Sequence, residues 1–223
     1  MKVCTDACLF GAWVGAAINN EQLIINNALD IGTGTGLLSL MLAQKTNAVI
    51  DAVEIDELAA TQAQQNFQDS QWIERLNIYN SPIQDFNASA SQQYDLIISN
   101  PPFFENDLKS SNNKRNLALH DDALMLDELI IIAKKLLKQP GIFAVLLPYH
   151  RMEYFMKLAV NEGLYILKQA LVKQTQVHDY FRCMLLLKPH TCELITEEII
   201  IQNEMRKYTA AFISLLKDYY LNL

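Results

Sequence analysis

Long apolar runs are missing from this sequence of 223 residues. The uncharged stretch near its start, Ala7 to Asn20, is too short to span a bilayer and is interrupted by Gly11, Gly15, Asn19 and Asn20. Asp6 breaks what would otherwise begin a secretory leader, and no small-residue cleavage site follows a clean apolar run. Cysteine is sparse. Cys4, Cys8, Cys183 and Cys192 form no C-x-x-C pair, and the 4 histidines are too scattered to complete a zinc site. These absences predict a cytoplasmic protein with reduced thiols, no membrane association and no metal. Positive charge is in deficit, with 18 Lys and Arg against 25 Asp and Glu, a formal net charge of −7. A nucleic-acid partner would need a local basic patch, because the overall field repels phosphate. Linkers rich in Pro, Gly or Ser, low-complexity tracts and internal repeats are absent as well. A single domain over 1–223 is expected, with 191–223 as a C-terminal strand-plus-helix extension, and a monomer is assumed.

What is present is a chain 51% hydrophobic and 19% charged, enough for a sizeable buried core. Short apolar runs at Asn27–Ile31, Ala48–Ile55, Leu76–Asn80, Tyr94–Ser99 and Ile142–Leu147 read as strands. Helical spacing fills the gaps at Leu37–Gln44, Glu57–Asp69, Asp122–Lys138 and about His150–Glu162, with Pro140-Gly141 stopping the third. Strand–helix alternation implies a parallel sheet covered on both faces. Two further strands, Tyr165–Gln174 and Tyr180–Lys188, are joined by Thr175–Asp179 alone, which is too short for a parallel crossover. A strand over Glu198–Gln202 and an amphipathic helix over about Lys207–Tyr220 complete the chain. The fold class expected is α/β and Rossmann-like, a mostly parallel seven-stranded sheet ending in an antiparallel hairpin, the order of class I methyltransferases.

Between the first strand and first helix lies Asp30-Ile31-Gly32-Thr33-Gly34-Thr35-Gly36. Glycines there allow a tight turn and let a ligand approach the main chain. Glu54, ending the next strand, is placed to accept hydrogen bonds from two ribose hydroxyls. A glycine loop followed by an acid about 20 residues on is a general nucleoside pattern. Asp30 narrows it, since an acid beside the loop suits an ammonium group and disfavours a pyrophosphate. The plainer alternative for Asp30 is a carboxylate that caps or stabilises the turn.

The fourth strand runs into Asn100-Pro101-Pro102-Phe103-Phe104. The lone pair of an exocyclic amine on a base is delocalised into the ring and is a poor nucleophile. The Asn100 side-chain oxygen and the Pro101 carbonyl can accept both N–H bonds and draw the nitrogen toward tetrahedral geometry. Pro101 and Pro102 stiffen the backbone and remove competing donors. Phe103 offers a face for base stacking, typically worth ~1–3 kcal/mol. A strand-ending turn with a buried Phe is the bland alternative.

At these residues the chain resembles the amino-methyltransferases with an Asn-Pro-Pro-Phe/Tyr motif. Within them it looks most like the bacterial tRNA adenine-N6 methyltransferases that act beside the anticodon of a valine tRNA, at nucleotide 37 in tRNA convention. The closer likeness lies in Lys2–Trp13, Asp95–Phe103 and the tail Ile201–Leu223, so it spans nearly the whole chain. The resemblance implies S-adenosylmethionine as cofactor and a tRNA partner. Thr5 and Asp6 would line the cofactor's methionine end; Asp30, Gly32, Gly34 and Glu54 would hold the rest, and Asn100, Pro101, Pro102 and Phe103 the target adenine. Cys4 and Ala7 depart from usual glycines. Pro82-Ile83 stands where many relatives carry an acid-apolar pair that reads the cofactor's adenine, which leaves that contact to backbone near Ile83 or to Asp85. Relatives usually carry an aromatic, basic segment before the Lys-Val motif; here the sequence opens at Met1, and weakened RNA binding is expected.

Two basic groups are candidates for phosphate contact: Lys109, Lys114, Arg115 and His120 after the motif, and Lys168, Lys173, His178 and Arg182 on or between the last strands. Rival readings use the same clamp on a protein glutamine amide or on guanine N2 of RNA. From another class, the chain could be a catalytically idle cofactor-binding module, and a nicotinamide oxidoreductase fits least.

Overall fold

The computed structural model describes residues 4–20, 23–89, 92–102 and 126–222. Its strands are β1 (Asn27–Ile31), β2 (Val49–Glu54), β3 (Leu76–Asn80), β4 (Tyr94–Ser99), β5 (Leu137–Pro148), β6 (Tyr165–Lys173), β7 (Tyr180–Lys188) and β8 (Ile195–Ile200). All belong to one sheet in the order β3-β2-β1-β4-β5-β7-β6-β8. β7 runs antiparallel to both β5 and β6, and every other pairing is parallel. The sheet therefore has eight strands rather than seven. The extra one, β8, adds itself in parallel to the outer edge of β6, three residues upstream of the expected Glu198 start.

Helices cover both faces: α1 (Thr5–Asn20), α2 (Leu37–Lys45), α3 (Glu57–Gln68), α4 (Ile83–Ser89), α5 (126–136), α6 (Met152–Asn161) and α7 (Ala210–Leu216). Side chains alternate across a strand with period two, and the core divides accordingly. Ala28, Leu96, Ile98, Ala144 and Leu146 pack on one face with Leu9, Phe10 and Trp13 of α1 and Phe212 and Leu216 of α7. Leu29, Ile97, Phe143 and Val145 pack on the other with α5 and α6, through Leu129, Ile130, Ala133 and Phe155.

Helix α1 has no counterpart in the sequence-based reading. Eleven of its sixteen residues are buried, so apolar and small side chains surround it without the one-sided stripe that reveals a surface helix. At the other end α7 is shorter than the expected Lys207–Tyr220. The Thr209 hydroxyl caps it by accepting from the Phe212 N–H at 3.2 Å, and a bridge between Gln202 and Tyr208 occupies the residues before it. The helix expected over Asp122–Lys138 is seen over 126–136; residues 122–125 lie outside the described set. Leu137 already pairs with Tyr94, and the next pairing joins Ile142 to Leu96. Four residues, Lys138 to Gly141, thus oppose Asp95 alone. Lys138 Nζ donates to Asp95 Oδ1 at 2.8 Å across this bulge.

The chain moves outward from β1 through β2 to β3, then returns to place β4 on the opposite side of β1. Such a reversal opens a crevice beyond the carboxyl ends of the two central strands. Ser99 Oγ donates to the Ile31 carbonyl at 2.9 Å, tying together the strand ends from which the glycine turn and Asn100 emerge.

Candidate functional site

Two strand ends meeting at one crevice bring the sequence motifs together. A cleft of about 520 Å³ is lined by Asp6 from α1, Gly32, Thr33 and Gly34 after β1, Glu54 and Ile55 after β2, Ser81 to Gln84 after β3, Asn100 to Pro102 after β4, and Arg182 of β7. That volume lies within the range of small-molecule and cofactor sites.

The glycine turn has a defined shape. Gly32, Gly34 and Gly36 have φ of +72°, +58° and +86°, a region that favours glycine. The two outer positions differ in surroundings. A side chain at Gly36 would place its Cβ 2.5 Å from Phe67 Cε1, whereas at Gly32 nothing lies within 4 Å. Gly36 is thus packed into the fold, and Gly32 presents bare backbone to the cleft. Glu54, almost fully buried, braces the turn. Its Oε2 accepts from the Gly34 N–H at 2.8 Å and its Oε1 from the Asp56 N–H at 2.9 Å. Each oxygen keeps a lone-pair direction for a further donor.

Asp30 does not line this cleft. It is fully buried, and its Oδ2 accepts from the Thr33 hydroxyl at 2.6 Å, the Ser39 hydroxyl at 2.7 Å and the Ser39 N–H at 3.1 Å. Burial raises the Asp30 carboxyl to about 6, against the opposing pull of the Thr33 and Ser39 donors. Among the described residues, its Oδ1 has no partner. The Thr33 and Ser39 bonds tie β1, the turn and α2 together through Asp30. Thr5 opens α1, is exposed, and is not among the residues lining the cleft. Its side chain lies beside the Tyr220 hydroxyl instead. Asp6, one residue on, reaches the cleft because the helix rotates it inward.

Arg182 sits in the cleft rather than in a phosphate-binding patch. Its Nε donates to Asp6 Oδ2 at 2.8 Å. Further along β6 the other candidate cations are paired, Lys168 with Glu197 at 2.7 Å and Lys173 with Glu198 at 3.2 Å. His178 Nδ1 is bonded to the Thr175 hydroxyl at 2.6 Å. The acids come from β8, whose placement beside β6 the sequence pattern did not reveal. Phe103 and the basic group Lys109, Lys114, Arg115 and His120 lie outside the described residues. Also unassigned by the sequence reading were Thr33 and Ser39, which hold Asp30, and Gln84, which joins Ile83 in the cleft wall. The hydroxyls at three and nine residues past Asp30 were the available signal for the first two.

With Arg182 and Asp6 paired to each other, Glu54 leaves the cleft wall with an excess of negative charge, which favours a ligand carrying positive charge and disfavours a pyrophosphate. The model of the methyltransferase small domain family matches residues 16–164. The chain belongs to this family. The methyltransferase is 41% identical over 227 residues to the tRNA1(Val) (adenine(37)-N6)-methyltransferase of Cytophaga hutchinsonii, covering 100% of this chain and 92% of that protein. To the protein of the same name from Pectobacterium carotovorum it is 38% identical, over 99% of this chain and 88% of that one. Among solved structures it shares the fold of an S-adenosylmethionine-dependent methyltransferase from Clostridium acetobutylicum, with a TM-score of 0.59 and 15% identity over 82% of this chain and 92% of the other. Among the described residues, no helix of the methyltransferase is long and apolar enough to cross a membrane, and no cluster of three or more His, Cys, Asp or Glu could hold a metal ion.

Proposed function

We propose that the chain transfers a methyl group from S-adenosylmethionine to the exocyclic N6 of adenine 37 in a valine tRNA, as a cytoplasmic enzyme whose 223 residues act as one domain. The observation that carries this reading is the shared cleft: Asn100, Pro101 and Pro102 line the same hollow as Gly32, Gly34 and Glu54. The relatives named for that reaction, at up to 41% identity over the whole chain, support the choice of substrate.

The residues present fit the cofactor. Gly32 leaves its backbone open to a close approach, the Glu54 oxygens can accept from ribose hydroxyls, and Asp6 offers a carboxylate to an ammonium group. When bound, S-adenosylmethionine supplies an electrophilic methyl group. The protein then has to hold and orient a weak nucleophile, and positioning of this kind carries a large share of such a barrier. The Asn100 side-chain oxygen and the Pro101 carbonyl accept the two N6–H bonds, aiming the nitrogen lone pair into the cleft. Pro102 has no N–H to compete, and Phe103 is assigned the stacking role by its residue type. Transfer would form the N–C bond as the methyl–sulfur bond breaks and S-adenosylhomocysteine leaves; the nitrogen then becomes strongly acidic, so one of its protons passes to water without a dedicated base.

Two measurements test the reading. S-adenosylmethionine at about 100 times its Kd stabilises the chain by roughly 2.7 kcal/mol, whereas NAD has no effect. Asn100→Ala lowers methyl transfer to a valine tRNA transcript by about a hundredfold or more and leaves cofactor affinity nearly unchanged. Full activity in that variant, or a thermal response to NAD alone, overturns the assignment.

A further inference from the structure

The segment after β3 lines the cleft together with Glu54. Ser81 N–H donates to the Glu54 carbonyl at 3.1 Å, and Asn80 Nδ2 donates to the carbonyls of Glu54 at 2.9 Å and Ile55 at 3.2 Å. These bonds fix the segment after β3 against the end of β2. Ser81 to Gln84 line the same cleft as Glu54, so a nucleoside whose ribose is held by Glu54 can lay its base over that segment. Ile83 and Ile55 are apolar members of the lining there, the latter 70% exposed. Apolar side chains of this kind can pack on the face of a flat ring, yet they can read nothing of its edge.

Edge recognition of adenine needs an acceptor for N6–H and a donor to a ring nitrogen. Pro82 has no N–H to give. Asp85 is not on the cleft wall and is engaged in another contact. Ser81 and Gln84 are the polar side chains on this stretch of wall. Gln84 alone of the two combines an NH2 donor and a carbonyl acceptor on a planar group. Its side chain is exposed and, among the described residues, makes no hydrogen bond.

We infer that Gln84 is the residue that reads the adenine edge of the cofactor, with its carboxamide accepting from N6–H and donating to the adjacent ring nitrogen. This rests on the methyltransferase reading above. An amide can turn over by half a rotation, so the same side chain also serves a 6-oxo base, donating to O6 and accepting from N1–H. It cannot compensate for a base with hydrogen at position 6, which leaves its carbonyl without a donor.

The test is calorimetric binding with three ligands: S-adenosylhomocysteine, its inosine counterpart and its 6-unsubstituted purine counterpart. The unmodified chain is expected to bind the adenosine and inosine forms within a few-fold of each other and the 6-unsubstituted form about tenfold more weakly. In Gln84→Ala all three ligands converge on the weak value, while Ser81→Ala keeps the tenfold gap. If Gln84→Ala keeps the full gap, or if Ser81→Ala removes it, the assignment of Gln84 is wrong. Failure of the unmodified chain to bind S-adenosylhomocysteine at all would instead bring down the methyltransferase reading, and this inference with it.

Discussion

Gly36 and Gly32 make a matched pair of perturbations, because both have a positive φ and only one has a neighbour in the way. In Gly36→Ala the new methyl group begins 2.5 Å from the Phe67 ring, which is 1% exposed and has no room to swing aside. Holding an alanine in left-handed backbone costs about 1–2 kcal/mol, and overpacking a buried contact adds about 1–3 kcal/mol. The loss is therefore roughly 2–5 kcal/mol, which for a chain of this size lowers the melting temperature by roughly 4–20 °C. Gly32→Ala meets no atom within 4 Å and carries the backbone term alone, a drop of roughly 2–8 °C. Its methyl group projects into the space reserved for a ligand, so its defect appears in S-adenosylmethionine affinity instead. Differential scanning calorimetry without ligand, followed by titration of each variant, separates the two effects. Equal destabilisation of both variants, or undiminished cofactor affinity in Gly32→Ala, would refute the division of labour assigned to this turn.

Asp30 predicts a pH effect. Its folded-state value of about 6 lies above that of an unfolded aspartate. Between about pH 4 and 6 the folded chain keeps a proton that the unfolded chain has released, so this group's contribution to stability falls as pH rises, by roughly 3 kcal/mol at most. Urea unfolding across that window should show the fall in the unmodified chain and not in Asp30→Asn; parallel curves would mean that Asp30 does not titrate there. Phe212→Ala empties a fully buried site between α7 and α1 and should lower stability by about 3–5 kcal/mol in the same assay. A loss under 1 kcal/mol would show that α7 is not packed as described.

The central strands were readable from sequence because residues buried on both faces form unbroken apolar runs, as in Leu96-Ile97-Ile98 and Phe143 to Leu147. Burial all round hid α1 for a related reason: without a polar face, Ala7 to Ile18 shows no helical period. The motifs at Gly32, Gly34, Glu54 and Asn100 were legible as local patterns, and the structure puts all four on one cleft wall. Direction was not legible. The hydroxyls of Thr33 and Ser39 hint at partners for Asp30, but their spacing does not say which way the carboxylate points. Long-range pairing was hidden too, since Arg182 meets Asp6 across 176 positions of sequence and Lys168 and Lys173 find their acids on a strand whose neighbour cannot be inferred from composition.

The packing of α7 against α1 has a consequence for synthesis. The cofactor hollow takes Asp6 from the first helix, while that helix draws part of its cover from Phe212 and Leu216 near the other extremity of the chain. On the ribosome, β1 to β4 can emerge and pair early, but the first helix must wait for some two hundred residues before its last covering surface arrives. A chain released early would keep the glycine turn and the Asn-Pro-Pro segment yet leave one wall of the hollow loosely held, so incomplete products should be poor competitors for the cofactor.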